Sequence, residues 1–457
     1  MEKENMQPQL LVLLNEDVNS YLRDNYLTSN MISAEGDRGD DRFEHLLLRL
    51  GCPPLFTTLR INTLIHETST VITSLRKEIE KNYRLRGLDM PDISLHPVLH
   101  DIIVIKNNGP VHREKVKKEV IVDLLCGMAV LRGADVFVQG ILGCPSGTRA
   151  EDRVSVFADL DGKCLRGLTK PYEGQKLFVG NGIVKYSREE VYCNEQPLSG
   201  IGVLMTEPLY EAPSLSGTCV NMIFPQNLPS IVCSHILDPQ PGETILDMCA
   251  APGGKTTHLA VLMKNKGRLV AIDKTVQKIE KIQTHAKEWD IDMIEIYPYD
   301  STKMVDKEAD TFGGPPFPKE TFDRILLDGP CSALGQRPSI RNKMSLNSLK
   351  SYSTYQRKLL KAADQLLKPG GTLVYSTCTF NQEENEKQVV WALKTFPELS
   401  LEPQVPHLGQ IGQVCEGLTD DQRQKLQFYD PGAFSSQLSV DNDTIGFFIA
   451  KFKKINK

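Results

Sequence analysis

Two cysteines stand where thiols could do chemistry. One lies in Asp328-Gly-Pro-Cys331-Ser332, the other in Ser376-Thr-Cys378-Thr379. Each follows a short apolar run that reads as a strand. A lone cysteine after a strand is more often an inert small hydrophobe, but two at strand ends beside a ligand loop point to chemistry. That loop reads Asp247-Met-Cys249-Ala250-Ala251-Pro252-Gly253-Gly254-Lys255. Its paired glycines let a ligand approach the backbone, and the helix start behind them offers unpaired N–H donors. It is neither GxGxxG nor a Walker loop, so a phosphate is a poor fit. A nucleoside carrying a carboxylate fits better. Asp273, 19 residues beyond Gly254, ends the next strand and suits ribose hydroxyls. Asp300, at the end of a third, suits an adenine amino group. Lys278 is within reach of the same ligand. For each Asp a helix cap or turn is the plain alternative, and for Lys278 a solvated helix face.

The chain has 11 cysteines, an odd number, with no CxxC pair. That predicts free thiols in a reducing, cytoplasmic protein, and excludes a disulfide scaffold or a cysteine-rich zinc site; no metal is expected. The apolar run Leu10–Leu14 is too short for a secretory h-region or a membrane span. The formal net charge of −5 does not announce a nucleic-acid partner, although a local basic patch can serve as one.

The elements that must position these residues lie after about residue 240. Strands at Thr244–Asp247, Arg268–Ile272, Met293–Tyr297, Phe322–Leu327 and Thr372–Ser376 alternate with helices at Lys255–Lys264, Val276–Trp289, Ser345–Leu367 and Gln382–Phe396. Ile445–Phe452 closes the chain. This alternation implies an α/β, doubly wound, mostly parallel Rossmann-like sheet with ligands at the strands' carboxyl ends. The fourth and fifth strands are expected to flank the first, which brings both thiols to one crevice. Thr311–Lys319 and 403–443 read as loop insertions.

Residues 1–110 read as an N-terminal α+β region: helices at Val18–Leu27 and Arg42–Leu50 around a Glu35–Asp41 loop, a strand at Phe56–Asn62 and a helix at Ser69–Tyr83. Residues 111–203 read as a small, mostly β domain with strands at Ala129–Leu131, Asp135–Val138, Val154–Ala158 and Lys176–Val179. Basic clusters at 112–118 and at Lys163, Arg166 and Lys170 border it, yet 118–200 holds ten Lys/Arg against eleven Asp/Glu. Residues 204–457 form the third unit.

Together, Cys249–Lys255, Asp273, Asp328–Ser332 and Ser376–Thr379, four motifs in order at strand ends, resemble the Sun family of RNA cytosine-5 methyltransferases over roughly 205–455. Ala129–Val138 is similar to the signature of a PUA domain. A PUA-like domain ahead of the catalytic one resembles the branch of that family that methylates transfer RNA near its 3′ CCA end. Gly329, Ala333 and Gln139 depart from the family's usual Ala, Gly and Pro. The resemblance implies S-adenosylmethionine as cofactor, held by 249–255, Asp273, Lys278, Asp300 and Asp328. It assigns nucleophilic attack on cytosine C6 to Cys378 and adduct release to Cys331. The residues alone leave either thiol as the attacker. Asp328 would bond N3 and N4 of the base, and Lys255 would hold the base and depress a thiol pKa. Arg132, Lys163, Arg166 and Lys170 would meet RNA phosphates. The alternatives are an inactive RNA scaffold, a DNA cytosine methyltransferase and a small-molecule methyltransferase.

Overall fold

A computed structural model describes residues 12–30, 39–193, 196, 198–306, 308–309 and 313–455. Its largest sheet has eight strands. Five are parallel, in the spatial order Ile294–Pro298, Arg268–Asp273, Thr244–Asp247, Phe322–Asp328, Leu367–Thr377. Phe447–Lys454 runs antiparallel beside the last, and Leu399–Leu401 and Leu426–Tyr429 both pair with it. Leu269, Val270, Ala271 and Ile272 are all fully buried, because a parallel sheet is covered on both faces and reads as a continuous apolar run. The covering helices include Leu228–Leu237, Gly254–Leu262, Val276–Glu288, Leu346–Leu366 and Glu386–Thr395. Ser345 starts the longest by accepting from the Ser348 amide.

The order corrects one expectation. The first strand is flanked by the second and fourth, and the fifth lies beyond the fourth. The thiols still meet, because the fourth and fifth strands are neighbours. Asp300 sits two residues past the third strand, which ends at Pro298.

The first region divides. Helices Glu16–Asn30 and Gly39–Gly51 bury Val18, Leu22, Phe43 and Leu46 in the same core as Leu246, Leu327 and Leu359. Strands Phe56–Ile61, Asp92–Leu95 and Ile102–Lys106 form a second sheet with helix Thr68–Arg86 alongside. Ile223–Pro225 completes that sheet by pairing with Phe56–Ile61, so the middle domain is inserted between strands of one sheet. The middle domain's own six-stranded sheet spans Glu119–Val122 to Ile201–Pro208, and the boundary drawn at 203 falls inside its last strand.

Ala129–Leu131 is not a strand but the end of helix Leu124–Leu131. Asp123 caps that helix by accepting from Cys126 N at 2.8 Å; three apolar residues carry no period, and the capping Asp was the available signal. Asp135–Val138 shortens to Val136–Phe137. Within 403–443, Leu426–Tyr429 is a fully buried strand hidden by its polar Gln427, whose amide is bonded to Gln404 and to the Pro406 carbonyl. Residues 35–38 of the Glu35–Asp41 stretch, 311–312 of the proline-rich insertion and 10–11 of the Leu10–Leu14 run lie outside the described residues. The rest of the proline-rich insertion is pinned by Phe317, fully buried edge-on against Phe322.

Candidate active site

The ligand loop leaves the first strand at Asp247 and enters helix Gly254–Leu262. Gly253 turns at φ +109°, and a Cβ there would lie 3.2 Å from the Ile282 Cα, so the turn requires glycine. Ala250 donates to the Ile272 carbonyl at 2.9 Å, and Ala251 N donates to Asp273 Oδ2 at 3.1 Å. Asp273 Oδ1 accepts from Lys274 N at 2.7 Å and Lys278 Nζ at 2.9 Å. Asp273 and Lys278 are thus joined to the loop. Pro252 lies between Ala251 and the glycine turn. Asp300 spends Oδ1 on capping the short turn Ser301–Lys303 through Thr302, and faces Lys274 at 3.6 Å. That is the cap its sequence position also allowed, with Oδ2 left toward the cation.

Burial pushes the Asp247 carboxyl up to about 7, against the hydrogen bond from Thr256 at 2.8 Å. Burial, then Asp247, Asp273 and Asp328, push the Cys249 thiol far up, so it is a poor nucleophile.

The thiol site forms at the ends of the fourth and fifth strands. Cys331 Sγ and Cys378 Sγ are 3.3 Å apart. The hydrogen bond from Cys331 draws the Cys378 thiol below its ordinary value, against burial, and the same contact together with burial drives Cys331 well above. The pair is polarised: the contact favours ionisation of Cys378 over that of Cys331. Lys255 Nζ donates to Asp328 Oδ2 at 2.6 Å, and Ser376 Oγ donates to Oδ1 at 2.7 Å. Burial opposes the Lys255 charge, but Asp328 outweighs it and holds the ammonium above its usual range. Lys255 also lies 5.4 Å from the centre of the Phe447 ring. Ala333, where the related pattern has glycine, takes a left-handed φ of +55° two residues after Cys331, a conformation that strains an L side chain.

Two charged residues enter this site that sequence reasoning passed over. Arg60, fully buried on the N-terminal sheet, donates to the Gly254 carbonyl at 3.2 Å and Thr257 Oγ1 at 2.8 Å and stacks 4.3 Å from the Trp289 ring. An arginine inside the strand Phe56–Ile61 was its only trace. Glu384, six residues after Cys378, is buried against the Cys331 loop.

The four basic residues of the middle domain have different surroundings. Arg132 is exposed and lines a groove of about 1180 Å³ between this domain and the N-terminal sheet, which Phe56, Lys81 and Asn82 also line. Lys163 and Lys170 are exposed, with Lys163 4.0 Å from Asp161. Arg166 donates to the Gln139 and Ile141 carbonyls at 3.1 and 2.9 Å and lies over Tyr192, so its guanidinium is partly committed to holding the fold. Arg341 of the catalytic unit donates to the Leu160 carbonyl at 2.7 Å, tying the two units together.

Asp101, His235 and His258 are the described residues whose donor atoms cluster as a metal site would require, within 4.8 Å of one another. Both imidazoles face Asp101 through Nε2 at 3.0 Å, and His258 Nδ1 has no partner. Both imidazoles donating to one carboxylate satisfy the geometry, and burial pushes His258 down to about 3.

Residues 234–453 match the family described as 16S rRNA methyltransferase RsmB/F. The chain is 45% identical to the tRNA (cytosine(72)-C(5))-methyltransferase NSUN6 of Mus musculus over 97% of its own length and 96% of the relative's. It is 30% identical to the tRNA (cytosine(72)-C(5))-methyltransferase of Pyrococcus horikoshii, over 91% and 94%. The crystal structure of NSun6 from Pyrococcus horikoshii with SFG, an analogue of S-adenosylmethionine, superposes with a TM-score of 0.75 at 27% identity, covering 97% of this chain and 99% of that one.

Proposed function

This chain belongs to the Sun family of RNA cytosine-5 methyltransferases, and on that premise we propose that it methylates C5 of cytosine 72 in a transfer RNA, beside the 3′ CCA end, with Cys378 as the attacking thiol. It is an S-adenosylmethionine-dependent enzyme. The residues present fit that cofactor. The glycine turn at 253 and the first amides of helix Gly254–Leu262 receive a carboxylate, and Asp273, only 6% exposed, stands at the second strand's end for a ribose. Lys278, on the same side, completes the polar rim. When bound, the cofactor supplies an electrophilic methyl group.

The protein's own part follows from the thiol pair. C5 of cytosine is a weak nucleophile. Cys378 adds to C6, and the ring's electron pair moves to C5, which then takes the methyl group. The Lys255–Asp328 pair meets the N3 and N4 edge and stabilises charge gathering on the ring. A base then takes the C5 proton, the C5–H electron pair re-forms the C5–C6 double bond, and the C6–S bond breaks with its pair going to the Cys378 sulfur, the step in which Cys331 acts. The observation that carries this reading is the 3.3 Å contact of the two thiols, with Asp328 at the end of the adjoining strand. The base reaches such a crevice only when unpaired, and a cytosine at the end of a stem unpairs at least cost.

The six-stranded domain is read as PUA-like, with Arg132, Lys163 and Lys170 meeting phosphates. Free thiols at all 11 cysteines suit the reducing cytoplasm. Among the described residues no helix is long and apolar enough to cross a membrane. The test is bisulfite sequencing of transfer RNA transcripts incubated with the enzyme and S-adenosylmethionine. One protected cytosine, at position 72, is expected. Protection at another cytosine, or none at position 72, overturns the assignment.

A further inference from the structure

Glu384 closes the short turn Gln382–Glu384, and none of its surface reaches solvent. Among the described residues it makes no ion pair, although a buried carboxylate is costly without compensation. Its compensation is three N–H groups. Oε2 accepts from Ser332 N at 2.9 Å and from Gln356 Nε2 at 3.1 Å; Oε1 accepts from Asn381 Nδ2 at 2.9 Å. Gln356 Nε2 also reaches the Pro330 carbonyl at 3.1 Å. The carboxylate therefore holds the Cys331 loop directly at Ser332 and, through Gln356, at Pro330, and it holds the loop that follows Cys378 at Asn381.

Neighbouring bonds lock the same two loops. Ser332 Oγ donates to Thr379 Oγ1 at 2.9 Å, joining the residues that directly follow the two cysteines. Gly335 N donates to the Cys378 carbonyl at 3.0 Å. Tyr375, on the fifth strand, donates its hydroxyl to the Glu384 carbonyl at 2.6 Å, which fixes the turn to the sheet. No sheet hydrogen bond reaches the thiols themselves, since the fourth and fifth strands end at Asp328 and Thr377. Their separation is set by these loops.

We propose that Glu384 is a positioning residue: it clasps the Cys331 and Cys378 loops together, holds the thiols in hydrogen-bonding contact, and so sets the rate at which the C6–S adduct is released. This rests on the assignment of attack to Cys378 and release to Cys331. The charge has a second consequence. It faces Cys331 and, after the Cys378 contact and burial, adds to what keeps that thiol protonated. A protonated Cys331 is the form that donates to Cys378.

The test uses the full-length enzyme with two readouts. The first is release. Glu384→Ala should slow it at least about tenfold and accumulate an RNA–protein species stable to denaturing electrophoresis, as is expected of Cys331→Ala. The double variant should release no more than about twofold slower than Cys331→Ala, because both changes remove one device. The second readout needs no RNA. Diamide takes one hydrogen from each thiol to become the hydrazine, and mass spectrometry follows the resulting Cys331–Cys378 disulfide. Glu384→Ala should slow that closure at least about tenfold, and Glu384→Gln, which keeps one acceptor, should recover about fivefold. Calorimetric affinity for S-adenosylmethionine within about threefold of the parent reports an intact fold. Unchanged disulfide closure with that affinity retained overturns the proposal. If Glu384→Ala loses the affinity, Glu384→Gln decides: closure at the parent rate overturns the clasp, and slower closure supports it. If Cys331→Ala itself traps no RNA, the cysteine assignment fails, and the disulfide rate still judges the clasp.

Discussion

The thiol crevice and the six-stranded middle domain place the side chains proposed for catalysis and for RNA contact in opposite ways. In the crevice each charged or reactive group already has its partner: Lys255 on Asp328, Lys278 on Asp273, Cys331 on Cys378, at 2.6 to 3.3 Å. In the middle domain Lys163 and Lys170 stand in solvent, and Arg166, also exposed, is bonded to two backbone carbonyls. The difference follows from the task. A covalent step needs groups fixed before substrate arrives, because orienting them during the reaction costs rate. Phosphate contacts need only a cation within reach, and long side chains supply that without prior order. Losses in the crevice should therefore appear in chemistry, and losses in the middle domain in affinity.

The largest effect separates the thiols. Cys378→Ala should cut turnover at least about a thousandfold and form no covalent complex, while Cys331→Ala should accumulate an RNA–protein band. A trapped band with Cys378→Ala reverses the roles. If neither variant traps RNA and both are inactive, the covalent route itself is in doubt. Next, Lys255→Met should lower single-turnover methylation by about 100-fold or more, the usual cost of a lost charge-stabilising group, with RNA affinity nearly unchanged. An equal loss in RNA affinity would erase the contrast between the two regions.

Asp273→Ala should weaken S-adenosylmethionine about tenfold, or about 1.4 kcal/mol, by calorimetry; an unchanged constant removes Asp273 from the cofactor site. A fourth prediction concerns pH. Cys331 lowers the Cys378 thiol by donating to it, so Cys331→Ala should raise it. Alkylation of Cys378 by iodoacetamide should then begin at higher pH in the variant, since only the thiolate reacts. A profile that stays in place, or moves to lower pH, contradicts the polarised pair. The smallest effect tests the other region. Replacing Lys163 and Lys170 by Gln should weaken RNA binding a fewfold and flatten its salt dependence by about one to two charges. Arg166→Gln should instead lower thermal stability by about 1 kcal/mol, through its lost bonds to Gln139 and Ile141. Equal RNA defects in all three would show that Arg166 is as free as the lysines.

Several elements were legible before any coordinates. The strand Thr244–Asp247 was read to the residue, and the helix Val276–Glu288 to within one, because parallel strands and amphipathic helices carry their periods in the chain. Ala129–Leu131 was misread because three residues are too few to show a period, and Leu426–Tyr429 because a buried glutamine broke its apolar pattern.

By itself, the sequence determined the motifs at the strand ends, their order and the chemistry their residue types permit. These are local properties: a glycine at a turn, an acid after a strand, a cysteine after a proline. What only the tertiary structure decided is what depends on packing between distant segments. It placed the fifth strand beside the fourth rather than beside the first, and closed the N-terminal sheet with Ile223–Pro225. It set Arg60 under the ligand loop across 194 residues of chain, and folded Glu384 onto the Cys331 loop. A buried charge is chosen by the partners that surround it in space, and no spacing along the chain encodes them.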